Sequence, residues 1–388
     1  MSIQVPLSWL RDFVSINIAP GQLADRLTTA GLEVETIEKV GDSWSDYCVV
    51  GQIKEIRKHP NADTLHLVDV EFGADIPITI VTGAPNIREM EGNIPKPTPK
   101  VALALAGAIL VDAHHEDRLR KKLKPAKIRG IESEGMLCSE LELGLSEDHE
   151  GILILPEEAP VGTLLHEYLG DVILHFDIKG GFSHLLSILG IGREIAALTE
   201  ENLDRSVIPD VSKLKVLEQP PFVDLEINDP DICSRYSALL IRNVKITSSP
   251  FWMQQRLLRL GMRPINNIVD ITNYVMMELG QPLHAFDYDM LIKRANGGKP
   301  KIIIRRAKEG EHLITLDKVE RKLDSDMLMI TDQVGHIGIA GIMGGRDSEV
   351  TSKTTNILLE AANFEFLNNR RTAQILKLRT EASERFGK

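Results

Sequence analysis

The apolar pattern changes period at Cys48, and that switch limits the folds open to this chain more than any other feature. Before it, LSWLRDF (Leu7 to Phe13) and Gly21 to Ala30 carry apolar side chains at helical spacing, with Gly31 as a stop. The first forty residues are therefore expected to be helical. After it, the runs CVVGQIKEI, LHLVDVEF, ITIVTG and KVALALAGAIL are short and rich in β-branched residues. Pro, Asn, Asp or Gly separates them, which predicts a small antiparallel barrel or sandwich. KIRGIESEGMLCSELELGL and GILILP close this region.

Helical spacing returns at Ser183 to Leu198, and the polar stretch Thr199 to Gln219 reads as the main linker. A mixed domain is expected to begin near Pro220. FVDLEI and YSALLIRNVKI read as strands, and Ser249-Pro250 caps a helix that stops at Gly261. A second helix is predicted over Asn267 to Leu279. Strands follow at KIIIRRA, DMLMIT, HIGIAGI and NILLEAA, and Asn368 to Lys388 reads as a polar, basic end. At 388 residues, two or three domains are expected.

Three cysteines, Cys48, Cys138 and Cys233, stand far apart and form no CxxC pair. That argues against structural zinc or a disulfide framework and for small buried hydrophobes in a reducing, cytoplasmic setting. No run approaches the apolar length of a membrane span, and MSIQVPLSWLRDFV lacks the pattern of a secretory signal. The net charge of −11 has the wrong sign for a protein that coats nucleic acid indiscriminately, so any RNA contact must be local. One basic run exists: Arg118, Arg120, Lys121, Lys122, Lys124, Lys127 and Arg129 within RLRKKLKPAKIR. A solvated strand edge guarded by lysine explains that run equally well.

Several nucleotide motifs fail. His336-Ile337-Gly338-Ile339 lacks the last histidine of a HIGH signature and has no KMSKS-like partner. Ala340 to Gly345 is glycine-rich without GxxxxGK[ST], and there is no HExxH or EF-hand pattern.

Other motifs fall into an order. His59-Pro60-Asn61-Ala62-Asp63, Val81 to Asn86 and Ile131 to Ser139 resemble the tRNA-binding OB-fold barrel of bacterial phenylalanyl-tRNA synthetase β subunits. Arg263-Pro264-Ile265-Asn266-Asn267, Asp270 to Tyr274, Gly280 to Asp287, Ala340 to Gly345, Leu359 to Ala362 and Arg379 to Ser383 follow in the order of that family's editing module. The resemblance covers nearly the whole chain. It implies an α+β multidomain protein: a small helical/mixed N-terminal module (1–40 plus 151–205), an inserted OB-fold β-barrel (41–150) and a mixed α/β editing domain of B3/B4 type (206–388).

The same resemblance implies tRNA(Phe) binding through the basic run and hydrolysis of tyrosine wrongly esterified to that RNA. A pocket shaped for phenylalanine rejects an added hydroxyl by only about a hundredfold, whereas a site that hydrogen-bonds the hydroxyl rejects phenylalanine far better. On this reading Glu360 accepts the tyrosine hydroxyl, and His284 holds the aminoacyl ester or the attacking water. Thr272 and Asn273 are substrate-site residues. Ala340, Gly341 and Ala382 keep the pocket open by being small, with Phe286 in its wall. The bland alternatives are a strand-end ion pair for Glu360, a satisfied loop histidine for His284, and helix packing for Thr272 and Asn273. Small residues would also let a ring approach backbone N–H groups, as in an oxyanion hole.

The family implies no metal site or cofactor in this chain. ATP and Mg²⁺ serve the holoenzyme, an α2β2 assembly whose α subunit carries the synthetic site, and no membrane is involved. Lys179 to His184 departs from the family's Asn-Arg-x-Asp-like element. Family chains continue roughly as long again past RTEASxRF, so the resemblance is to an N-terminal half truncated after the editing module. The alternatives are a tRNA-binding scaffold with an inert pocket and a free-standing trans-editing hydrolase.

Overall fold

The computed structural model describes residues 2–113, 117–208, 210–213 and 222–388. Part of the expected linker, at 209 and 214–219, and the expected domain start at Pro220 lie outside the described residues. The chain divides into two compact units: residues 4–8 with 34–175, and residues 1–3, 9–33 and 176–388. These ranges cut the chain differently from the three expected segments, since 151–175 groups with the barrel region.

In the first of these units, five strands lie in the spatial order Gly135–Leu137, Lys100–Leu105, Cys48–Lys58, His66–Glu71 and Ile78–Thr82. Ile154–Leu155 adds to Lys100–Leu105. Alternation puts Ile53, Val68, Val70, Ile80, Val101 and Leu103 into one core. The sheet curls until its end strands approach. Ser133 Oγ accepts a hydrogen bond from Val81 N at 3.2 Å, and a Cβ at Gly135 would stand 3.1 Å from Ile80 Cδ1. No backbone ladder joins the two end strands among the described residues. The expected barrel is therefore, at this level, a curled sheet whose edges meet through Ser133 and Val81.

Ser2–Pro6, Asp171–Asp177 and Val34–Val40 pair into a three-stranded sheet. The helical expectation for residues 1–40 thus holds only for Leu7–Leu10 and Pro20–Thr29. Ile3 and Val5 are buried at period two, and helical spacing could not reveal that.

The other unit packs its two larger sheets on one core. A five-stranded sheet runs Asp224–Ile227, Lys301–Arg306, Leu328–Thr331, His336–Ile339, Met343–Gly344. A three-stranded sheet runs Cys233–Arg242, Asn356–Phe364, Leu283–Asp287. Ile302, Ile304 and Ile330 from the first meet Tyr236, Phe286 and Leu358 from the second. The near-HIGH run is simply a strand of this core, with Ile337 and Ile339 buried.

The helix Asn267–Leu279 forms as expected. Asn266 caps it by accepting from Ile268 and Val269 N–H, and Gly280 at φ 86° ends it. At Ser249-Pro250 the cap is Pro250, not Ser249, whose hydroxyl donates instead to buried Asp270. The polar, basic end is regular structure. It forms helices Phe366–Leu376 and Glu381–Phe386, the latter opened by a Thr380–Ser383 capping box.

Candidate active site

Strand pairing builds the site. Leu283–Asp287 runs antiparallel to the central strand Asn356–Phe364, and His284 is the direct partner of Glu360. Directly paired residues project from the same face, so imidazole and carboxyl stand side by side. That face turns toward the five-stranded sheet, and the two residues line one hollow of about 70 Å³. Phe286, Ile330, Ile339 and Ile342 give it apolar walls, and Ala382 and Phe386 of the last helix close another side.

Glu360 is 6% exposed. Its Oε2 accepts a hydrogen bond from the Tyr236 hydroxyl at 3.1 Å. Burial pushes its carboxyl up to about 8, against the lowering influence of the Tyr236 hydrogen bond. Glu360 sits mid-strand, in Asn356–Phe364, and forms no ion pair among the described residues. The His284 ring packs edge-on against Phe286, with centroids 4.5 Å apart at 79°. Burial pushes this imidazole down to about 4, so it is neutral at ordinary pH. A neutral ring offers one donor and one acceptor nitrogen, enough to orient water or an ester but not to supply a fixed positive charge.

Glycine makes room for that ring. A Cβ at Gly344 would lie 2.6 Å from both Cε1 and Nε2 of His284. Gly341 has φ 68°, and a Cβ there would meet Asn369 Nδ2 at 2.3 Å. The Gly341 N–H, at the edge of the hollow, has no hydrogen-bond partner among the described residues.

The remaining expected residues divide. Phe286, Gly341 and Ala382 line the hollow with His284 and Glu360. Ala340 sits behind it in the core, its N–H donating to Leu328 O and its carbonyl accepting from Asn369 Nδ2. It is therefore not an open donor of the oxyanion-hole kind. Thr272 and Asn273 lie on the helix that packs against the His284 strand, but neither lines the hollow. The Thr272 hydroxyl donates to Val269 O within its own helix. The residues the sequence reading missed are Tyr236, Gly344 and Asn369. Only the Gly344-Gly345 pair left a sequence trace; Tyr236 sits inside an ordinary strand run.

The curled-sheet unit carries the basic run on two hairpins. Ile109–Val111 pairs with Arg120–Lys122, and Ala126–Ile128 pairs with Ile131–Ser133. Arg118, Arg120, Lys121, Lys122, Lys124, Lys127 and Arg129 are all exposed. Arg118 pairs with Glu147 at 2.7 Å, and Lys121 stands 3.8 Å from Asp112. The His59-Pro60-Asn61 motif anchors the second hairpin. His59 Nε2 lies 3.2 Å from Ile128 O, and Asn61 Nδ2 donates to Arg129 O. Arg129 and Gly130, at φ 48° and 97°, make the two-residue turn.

Cys48, Cys138 and Cys233 are buried free thiols, Cys48 and Cys233 pushed up to about 12 and about 11 by burial. No helix among the described residues is long and apolar enough to cross a membrane.

Both units match family models: "Putative tRNA binding domain" over residues 48–164 and "B3/4 domain" over 232–388, which contains the hollow. Among curated proteins, the chain is 47% identical over 386 residues to the phenylalanine–tRNA ligase beta subunit of Dehalococcoides mccartyi, covering 100% of this chain and 45% of that one. The beta subunits of Moorella thermoacetica and Clostridium acetobutylicum are each 43% identical, covering 99% and 100% of this chain and 46% of each relative. Over its whole length the chain is similar to phenylalanine–tRNA ligase β subunits. It spans about half the length of the curated β subunits it matches. The chain thus joins a match to the tRNA-binding domain model and a match to the B3/4 domain model, and the hollow lies wholly in the second.

Proposed function

We propose that the hollow is an editing site, which hydrolyses tyrosine esterified to tRNA(Phe), and that the curled sheet is an OB-type surface that holds the RNA. The observation that carries this reading is a buried carboxyl, Glu360, among apolar walls with neutral His284 directly beside it. A phenol finds apolar contact for its ring and a hydrogen-bonding partner for its hydroxyl there. A bare benzene ring leaves the second oxygen of that carboxyl, the one Tyr236 does not hold, without a partner in a water-poor hollow, at a cost of about 1–3 kcal/mol. The hollow is smaller than the ~150 Å³ that encloses benzene, so the ring enters as the rim yields. Half-buried, unbranched Met343 is the most adaptable wall.

His284 orients the ester carbonyl or the attacking water, with the RNA's own ribose hydroxyl beside the reacting carbon. The free Gly341 N–H is the donor available to oxygen that gains negative charge during attack. Ala340 contributes by its small size alone, and Thr272 and Asn273 support the His284 strand from behind. The basic hairpins meet RNA phosphates, with Arg118 held partly by Glu147. Aminoacylation itself, with ATP and Mg²⁺, belongs to the assembly with an α subunit, in the cytoplasm.

The test is tyrosine release from purified Tyr-tRNA(Phe). The chain releases tyrosine, and Glu360→Ala and His284→Ala each lose at least tenfold in rate. Equal release by all three would remove both residues from the site. RNA binding without release in any of them would favour a scaffold with an inert pocket.

A further inference from the structure

The carboxyl of Glu360 has two oxygens, and the protein uses one of them. Oε2 accepts from the Tyr236 hydroxyl at 3.1 Å, whereas no hydrogen bond to Oε1 is present among the described residues. The geometry follows from strand register. Ala238 is the direct partner of Glu360 on the far side of the central strand, and Tyr236 pairs with Ala362 two residues along. Tyr236 is therefore the diagonal neighbour of Glu360 on the same face, a separation that a long aromatic side chain spans. Ala238, in the nearer position, is too short to reach the carboxyl. The Tyr236 ring is fixed in the shared core with Phe286, Leu358 and Phe364, so its hydroxyl is presented in one place.

We infer that Tyr236 is a positioning residue for this site: its hydroxyl holds Oε2 of Glu360, which leaves the other oxygen to read a ring hydroxyl on the ligand. This rests on the editing reading and deepens it, because it makes selectivity a property of a Tyr236–Glu360 pair. Without the anchor, the carboxyl can rotate about its last side-chain bond, and either oxygen can turn to either side. The hollow then loses its fixed complement to the phenol, and buried Oε2 loses its partner.

Tyr236 also biases the charge state. A hydroxyl donor favours the ionised carboxylate over the protonated acid. The other titratable groups around Glu360 are Cys233 on the Tyr236 strand and His284 on the opposite strand. The walls from the five-stranded sheet and the last helix bring none to the hollow.

The test is Tyr236→Phe, which keeps the ring and removes one oxygen. Two readouts are needed, one with turnover and one without. In the first, the ratio of Tyr-tRNA(Phe) to Phe-tRNA(Phe) hydrolysis (as kcat/KM) falls about tenfold or more. The same substitution in a Glu360→Ala background changes the ratio less than twofold. In the second, ¹³C NMR of labelled glutamate carboxyls follows Glu360 by its loss in Glu360→Gln, and its titration midpoint moves upward in Tyr236→Phe. A purely structural tyrosine would lower thermal stability and move neither quantity. An unchanged ratio, or an unchanged midpoint, overturns the inference. A wild-type chain that hydrolyses both esters equally overturns the editing reading instead, and the titration still decides whether Tyr236 sets Glu360.

Discussion

At the scale of single residues, the site depends on two side chains whose titration burial moves away from its course in water. Glu360 ordinarily titrates near 4.5 and here near 8. Between those values the folded chain keeps a proton that the unfolded chain has released, so stability falls as pH rises from about 4.5 to 8. His284 ordinarily titrates near 6.5 and here near 4. The unfolded chain takes up that proton first, so this contribution is lost as pH falls from 6.5 toward 4. Glu360→Gln removes the alkaline-side loss. Urea unfolding of the B3/4 unit at pH 5.5 and pH 8 should show the wild type losing on the order of 1–4 kcal/mol more than the variant. Equal losses would mean that Glu360 is already ionised in the folded chain. Glycine at 344 is as specific a requirement as the histidine. Gly344→Ala should push the imidazole aside and cut tyrosine release at least tenfold, with RNA affinity unchanged in a filter-binding assay. Wild-type rates in Gly344→Ala would show that the ring position does not matter.

Elements decided how far the sequence could be read. Asn267–Leu279 was fully legible because an asparagine cap, an apolar stripe and a terminal glycine agree. Most strands of the curled sheet were legible from β-branched runs between turn residues. Leu283–Asp287 was not: a five-residue run after Pro282 carries too little pattern to separate strand from loop. Yet that strand sets His284 beside Glu360, and register is a long-range property that no local window contains. The helices after Phe364 were hidden for a different reason. Asn368, Asn369, Arg370 and Arg371 suggest a solvated end, but Asn369 and Arg385 are buried by tertiary partners, Ala340 O for one and Leu186 O for the other. The His59 motif was legible as a resemblance only; its physical work is to tie one loop to the 126–133 hairpin. His59→Ala should free that hairpin, seen as faster amide exchange at Ile128 and Lys127 and a several-fold weaker hold on RNA. Unaltered exchange would place the anchor elsewhere.

For the molecule as a whole, the proposed RNA contact and the proposed ester chemistry fall in different compact units, and they should fail separately. Neutralising Lys121, Lys122 and Lys124 together should weaken tRNA binding about tenfold or more and flatten its salt dependence. The preference for tyrosine over phenylalanine esters at saturating RNA should stay as it was. A changed preference would mean that the basic hairpins take part in selection. The acidic total charge of −11 is consistent with such confined contact, since only a local patch can attract phosphate. The account's central claim is that a buried carboxyl chooses a phenol over a benzene ring. Side-by-side hydrolysis of Tyr-tRNA(Phe) and Phe-tRNA(Phe) by the wild type and Glu360→Ala tests it most directly. The account predicts a wild-type preference for the tyrosine ester of about a hundredfold or more, collapsing toward unity in the variant. A preference that survives loss of the carboxyl would contradict it.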